Sequence, residues 1–175
     1  NLLELIITKK ILYNSIKVYI CFYTIDKNTK MNIGIIGAGW IAEKMASTIS
    51  KLDGIKTYAI ASRDIEKAKT FAAKYGVTKA YGSYKELIND PEVELVYIAT
   101  PHSHHFEQAS MAIEAEKPVL CEKAFTANAR EAEALLNFAH AKGVFITEAI
   151  WTRYMPLSIK IKELLDEGVA GRLRL

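Results

Sequence analysis

Cysteine is nearly missing from this chain, and so is any surplus of charge on its main body. The only two cysteines, Cys21 and Cys121, lie far apart and outside any C-x-x-C spacing. That excludes a disulfide-stapled secreted scaffold and leaves a reduced, cytoplasmic protein as the expectation. The formal net charge is +3, but Lys9, Lys10, Lys17, Lys27 and Lys30 face only Glu4 and Asp26 in the first thirty residues. From Met31 onward the two signs balance. A neutral body offers no electrostatic footing for nucleic acid. Long apolar runs are missing too. Near the start the longest uncharged stretch, Val18 to Ile25, falls far below the ~20 residues of a membrane span. Lysines interrupt that segment and no small-residue cleavage site follows it, which argues against a signal peptide. The chain starts with Asn1 rather than Met, and its composition changes near Met31. Residues 1–30 therefore read as an extension outside the native domain, with a targeting role as the alternative.

What is present begins at the apolar run Ile33-Gly34-Ile35-Ile36, followed at once by Gly37-Ala38-Gly39-Trp40-Ile41-Ala42. A strand, a G-x-G-x-x-A turn and a helix in that order suit a dinucleotide. The first glycine permits the tight turn, the second lets backbone approach a pyrophosphate, and Ala42 allows helix to pack closely on sheet. The helix N-terminus, with Trp40 and Ile41 in its first turn, would present unpaired N–H groups to the phosphates.

The rest of the chain alternates between the two periods. Strands are expected at Thr57–Ala61, near Lys79–Tyr81, at Leu95–Ala99, Val119–Cys121 and Val144–Ile146. Helices are expected at Ile65–Tyr75, Ser83–Ile88, His105–Glu116 and Ala129–Ala141, with Ser83 and Glu86 forming a capping box. The nearly all-apolar segment at Leu95 should be a central strand covered on both faces. No internal repeat or low-complexity tract competes with this pattern, which implies an α/β fold with a doubly wound parallel sheet over residues 31–150. After Pro156 the spacing of Leu157, Ile159, Ile161, Leu164 and Leu165 predicts one more helix ending at Gly168. Arg172 to Leu175 then alternate like a new strand, so residues 151–175 read as only the beginning of a second α/β domain.

Ligands of such sheets bind outside the carboxyl ends of the strands. The second strand ends in Ser62-Arg63-Asp64, where a guanidinium suits a ribose 2′-phosphate, and Lys67, one helical turn on, can add a second positive charge. Both cations could instead be solvated, with Asp64 reading the ribose of NAD or merely capping a helix. NADP is the expected cofactor and NAD the second choice. The fourth strand runs into Thr100-Pro101-His102-Ser103-His104-His105, with no cysteine nearby and no further ligand at helical spacing. No metal is expected. Thr100, Pro101, His102 and His105 are read as lining the nicotinamide side of the pocket, or as ordinary loop residues. The fifth strand ends in Glu122-Lys123, and a lysine there can hydrogen-bond a substrate hydroxyl and help move its proton. Lys123 is the catalytic candidate, Glu122 its orienting neighbour, and a salt bridge or a solvated lysine the alternative. Trp151 and Arg153 are candidate walls of a substrate pocket, or plain packing.

Taken together, Gly37–Ala42, Ala61-Ser62-Arg63-Asp64, Ala99-Thr100-Pro101 with His105, Lys117–Lys123 and Thr147–Arg153 resemble the Gfo/Idh/MocA oxidoreductases, the family of glucose–fructose oxidoreductase and inositol dehydrogenase. The last segment is most similar to the dihydrodiol and D-xylose dehydrogenase branch. The resemblance implies a Rossmann fold, with Lys123 in the catalytic position, a 2′-phosphate contact at Arg63 and a pocket wall at Trp151. It further implies hydride transfer between a nicotinamide and a carbon of a sugar, polyol or diol, in a full-length form that is a homo-oligomer with no membrane or nucleic-acid partner. Two features depart from the family. Ala124 stands where a proline usually follows the lysine, so the loop is expected to be displaced, and the second domain is missing, so the 175-residue chain is expected to be inactive alone. A non-catalytic dinucleotide sensor or binding module is the alternative.

Overall fold

The computed structural model describes residues 31–169 and Gly171; the expectations for residues 1–30 and for Arg172–Leu175 lie outside the described residues. Two compact units meet in sequence between Ala149 and Ile150. The first unit begins with β1 (Met31–Ile36), α1 (Trp40–Ile49), β2 (Ile55–Ala61), α2 (Ile65–Tyr75), β3 (Lys79–Tyr81) and α3 (Tyr84–Ile88). It continues with β4 (Leu95–Ile98), a 3₁₀ turn at His102–His104, α4 (His105–Glu114), β5 (Val119–Glu122), α5 (Ala129–Lys142) and β6 (Ile146–Ala149). In the second unit a 3₁₀ turn at Trp151–Tyr154 leads into α6 (Pro156–Asp166), whose Leu157 and Ile161 are exposed.

All six strands pair in parallel, in the order β3-β2-β1-β4-β5-β6. From β1 the order runs outward through β2 and β3 on one side and through β4, β5 and β6 on the other, so strand order reverses between β1 and β4. Central strands of such a sheet are covered on both faces and must be apolar throughout. Ile33, Ile35 and Ile36 of β1 and Val96, Tyr97 and Ile98 of β4 are indeed fully buried. Helices α1 and α2 pack together, while α3, α4 and α5 form a second group. A core lies under that second group, where Leu87, Ala109, Ile113 and Leu135 meet Ile36, Ile98 and Val119.

Two local expectations fail for physical reasons. Ser83 begins α3 in extended conformation, but its hydroxyl makes no cap bond, so the capping box is not formed. The last strand is Ile146–Ala149, not Val144–Ile146. Val144 is used to close α5, its N–H donating to Ala139 O. The strand itself carries Thr147 and Glu148 because it ends the sheet order and is only half-buried; an apolar-run criterion misses such a strand. Among the described residues no helix is long and apolar enough to cross a membrane.

One buried polar pair ties β3 to the turn before β4. Tyr81 Oη donates to Asp90 Oδ2 at 2.7 Å, and the Glu92 N–H donates to Oδ1 at 2.9 Å. Burial works to raise the Asp90 carboxyl, but the bonds from Tyr81, Glu92 and Tyr58 outweigh it and hold the group below its ordinary value. Burial and the Asp90 bond push Tyr81 up to about 12. The bonded carboxylate therefore stabilises the fold above the unfolded value of ~3.9, and that stability is lost as pH falls through the lower folded value. The phenol term is complete below ~10 and is lost as pH rises through the folded value. Tyr81→Phe should cost about 1–2 kcal/mol at pH 7. In denaturant titrations the gap from wild type should narrow at pH values below the Asp90 transition; a gap independent of pH would show that the hydroxyl does not act through that carboxylate.

Candidate functional site

The carboxyl ends of β2, β1, β4 and β5 carry the groups singled out from the sequence. Gly37 leaves β1 with φ +98°, and a β-carbon there would stand 2.8 Å from the Ala99 carbonyl oxygen. Only glycine fits, on both steric and dihedral grounds. Gly39 differs: as the N-cap of α1 it has φ −95° and ψ −177°, and a β-carbon would meet nothing within 4 Å. No side chain caps α1, so its first-turn N–H groups are left to an outside acceptor. The exposed Trp40 and the half-buried Ile41 flank this opening. The open space at Gly39 and the uncapped helix end together fit a pyrophosphate.

At the end of β2, Ser62 is buried and its Oγ accepts from the Asp64 N–H at 3.2 Å. Asp64 Oδ1 caps α2, accepting from the N–H groups of Glu66 at 3.0 Å and Lys67 at 3.3 Å. The carboxylate that would read a ribose is thus engaged in its own helix. Arg63 and Lys67 are exposed, and neither side chain has an ion pair among the described residues. Arg63 borders a cavity of about 210 Å³ together with Tyr84, His104, Glu107, Gln108 and Met111.

At the end of β4, Thr100 Oγ1 donates to Gln108 Oε1 at 2.6 Å, while Pro101 and His102 are exposed. His105 has no accessible surface. Its Nδ1 lies 2.8 Å from the Ala124 carbonyl oxygen and its Nε2 lies 2.8 Å from that of Thr100. His105, expected to line the nicotinamide side, is thus enclosed between the loops that follow β4 and β5. No group of three or more His, Cys, Asp or Glu side chains gathers at metal-binding distance among the described residues.

Lys123 follows β5 and is exposed, with no ion pair or hydrogen bond to its ammonium among the described residues. Of the two alternatives, the salt bridge is not formed among the described residues, while a solvated lysine is compatible with this exposure. Glu122, buried beside it, accepts from the Tyr97 hydroxyl and, at 3.3 Å, from the Lys123 N–H. Ala124 is joined to Lys123 by a cis peptide bond. The Phe125 N–H donates to Glu148 Oε1 at 2.8 Å, a partner 23 positions away that no local spacing in the sequence signals. Cys121 is a free thiol, pushed up by burial and by the Glu122 and Glu148 carboxylates, which leaves it a poor nucleophile. Trp151 and Arg153 are exposed residues of the second unit.

Residues 31–149 match an oxidoreductase family described by its NAD-binding Rossmann fold. The chain belongs to the Gfo/Idh/MocA family. D-xylose 1-dehydrogenase (NADP(+)) of Hypocrea jecorina is 45% identical over 150 residues, which is 79% of this chain and 38% of that enzyme. Trans-1,2-dihydrobenzene-1,2-diol dehydrogenase of Mus musculus is 42% identical over 143 residues, covering 81% of this chain and 43% of the enzyme. Among solved structures, the 3-ketoreductase KijD10 of Actinomadura kijaniata with NADP superposes with a TM-score of 0.76 at 30% identity, over 83% of this chain and 47% of that one. This Gfo/Idh/MocA chain thus spans less than half the length of these relatives.

The two glycines make opposite predictions. Gly37→Ala should lower unfolding free energy by about 1–3 kcal/mol, because strain and the Ala99 contact act in the unliganded fold. Gly39→Val should leave the melting temperature near wild type yet remove dinucleotide binding in calorimetry. Unchanged affinity in a folded Gly39→Val variant would move the pyrophosphate away from this turn.

Proposed function

We propose that this chain is the cofactor-binding part of an NADP-dependent dehydrogenase acting on a sugar, polyol or diol. The observation that carries the reading is the contrast of engaged and disengaged charges at the carboxyl ends of the strands: Asp64 Oδ1 caps its own helix, while Arg63 and Lys123 have no ion-pair partner among the described residues. The named relatives, an NADP(+)-linked xylose dehydrogenase and a dihydrodiol dehydrogenase, support the cofactor and the substrate class.

In this reading the Gly37–Ile41 turn holds the pyrophosphate, Arg63 with Ser62 and Lys67 holds the 2′-phosphate, and Thr100, Pro101 and His102 border the nicotinamide. When bound, the nicotinamide supplies the hydride acceptor for oxidation of a hydroxyl-bearing carbon. Lys123 hydrogen-bonds the substrate hydroxyl. Its amine takes the hydroxyl proton in oxidation, and its ammonium returns a proton to the carbonyl oxygen in reduction. Glu122 fixes the direction of the Lys123 backbone through its bond to that N–H. Trp151 and Arg153 belong to the substrate side of the proposal.

Arg63→Ala should weaken NADP binding by roughly ten- to a hundredfold, the equivalent of one charged hydrogen bond, while NAD binding changes little in calorimetry. Equal losses for both cofactors would remove Arg63 from the 2′-phosphate. With the chain extended through its natural reading frame, oxidation of xylose, glucose, inositol or a dihydrodiol should be detectable. Lys123→Ala should lower it by about 10²–10⁴-fold. Tight NADP binding without turnover of any of these would favour a dinucleotide sensor.

A further inference from the structure

Between the end of β5 and the start of α5 the backbone at residues 123–126 forms neither helix nor strand, yet side chains from three other places hold it. From the first residue of α4, His105 Nδ1 reaches the Ala124 carbonyl at 2.8 Å. From β6, Glu148 Oε1 takes the Phe125 N–H at 2.8 Å. From β5 itself, the Cys121 thiol approaches the Phe125 carbonyl at 3.7 Å. His105 Nε2 also lies 2.8 Å from the Thr100 carbonyl oxygen, so the ring sits between the loops that follow β4 and β5 and can donate to either carbonyl. We propose that Glu148 and His105 are positioning residues for Lys123, acting through the two backbone groups that follow it.

Three observations support this assignment. Glu148 is half-buried and has no cationic partner among the described residues, so its carboxylate serves the Phe125 N–H and not an ion pair. A bond from an amide to a charged acceptor is about twice as strong as a neutral one, and here it fixes the residue two positions after Lys123. His105 is fully enclosed, so its ring does not contact substrate and works through the carbonyls it holds. The two anchors also come from different elements, His105 from α4 and Glu148 from β6, the strand paired with β5. A lysine on a four-carbon stem depends on its backbone for placement, and a displacement of ~1 Å from productive geometry can cost ~10²-fold in rate.

The proposal rests on the reading of Lys123 as the proton-moving group, and the test separates the two. In the 175-residue chain, hydrogen exchange of the Phe125 amide should accelerate at least about tenfold in Glu148→Ala, since its acceptor is gone. In Glu148→Gln, whose amide oxygen can still accept, protection should recover, while amides of β1 and α1 stay unchanged in both variants. In the extended enzyme, Glu148→Ala should lower kcat by roughly 10–10²-fold without changing the KM for NADP, and Glu148→Gln should restore most of the loss. In a Lys123→Ala background Glu148→Ala should cost nothing further, because both changes remove one function. If Glu148→Ala does not fold, His105→Asn, too short to span both carbonyls, is put through the same cycle. Additive losses with Lys123→Ala, or an unchanged Phe125 amide in Glu148→Ala, overturn the proposal alone. Full turnover in Lys123→Ala overturns the functional reading and the proposal with it.

Discussion

Where β1 leaves the sheet, the chain must pass so close to the end of β4 that no side chain fits between them. Gly37 turns there beneath the Ala99 carbonyl, its own N–H bonded to Ala61 O at 2.9 Å, while the Ala99 N–H bonds to Ile36 O at 2.8 Å. The ends of β2, β1 and β4 are thereby bound to one another at the point where strand order reverses. The crevice of a doubly wound sheet is the space left above such a junction. The uncapped end of α1, the Arg63 turn and the Thr100 loop inherit their positions from it.

The lysine loop is tied to the same junction, though less directly. Thr100 continues from Ala99, and the His105 imidazole lies 2.8 Å from both the Thr100 and the Ala124 carbonyl oxygens. The path from the glycine turn to Lys123 is thus a short series of backbone groups joined by one buried ring. On its far side the loop is secured by Glu148 of β6. Cofactor cradle and proposed proton-moving group are built separately, one from consecutive residues and one from distant ones, yet they share a rigid reference.

This difference explains what could be read from the sequence. The glycine turn, Ser62-Arg63-Asp64 and Glu122-Lys123 are local signals at strand ends, and a hydrophobic period of 2 or 3.6 is enough to locate those ends. Helix α2 was legible to its boundaries because Asp64 and Gly76 bracket it. Two kinds of information were not legible. Strand β6 lies at the end of the sheet order, half-exposed, and its Thr147 and Glu148 carry little apolar signal. The role of His105 depends on two carbonyls, 5 and 19 positions away, and no spacing rule distinguishes an enclosed histidine from the exposed His102 nearby.

The site also shows why an unpaired charge is more informative than a charged motif. Asp64 occupies the position from which a carboxylate would reach a ribose, but a carboxylate accepting two N–H groups of its own helix has given up acceptor capacity to the fold. Lys117, another lysine of the same motif, donates to the carbonyls of Asp90 at 3.0 Å and Val93 at 2.7 Å and so closes the turn before β4. Arg63 and Lys123 have no such internal duty among the described residues. Holding a long cationic side chain at the mouth of a crevice without a partner adds nothing to stability, since exposed charges of this kind contribute little to folding even when paired. Their structural neutrality, set against the committed roles of Asp64 and Lys117, is what directs attention to them as the groups that meet a ligand.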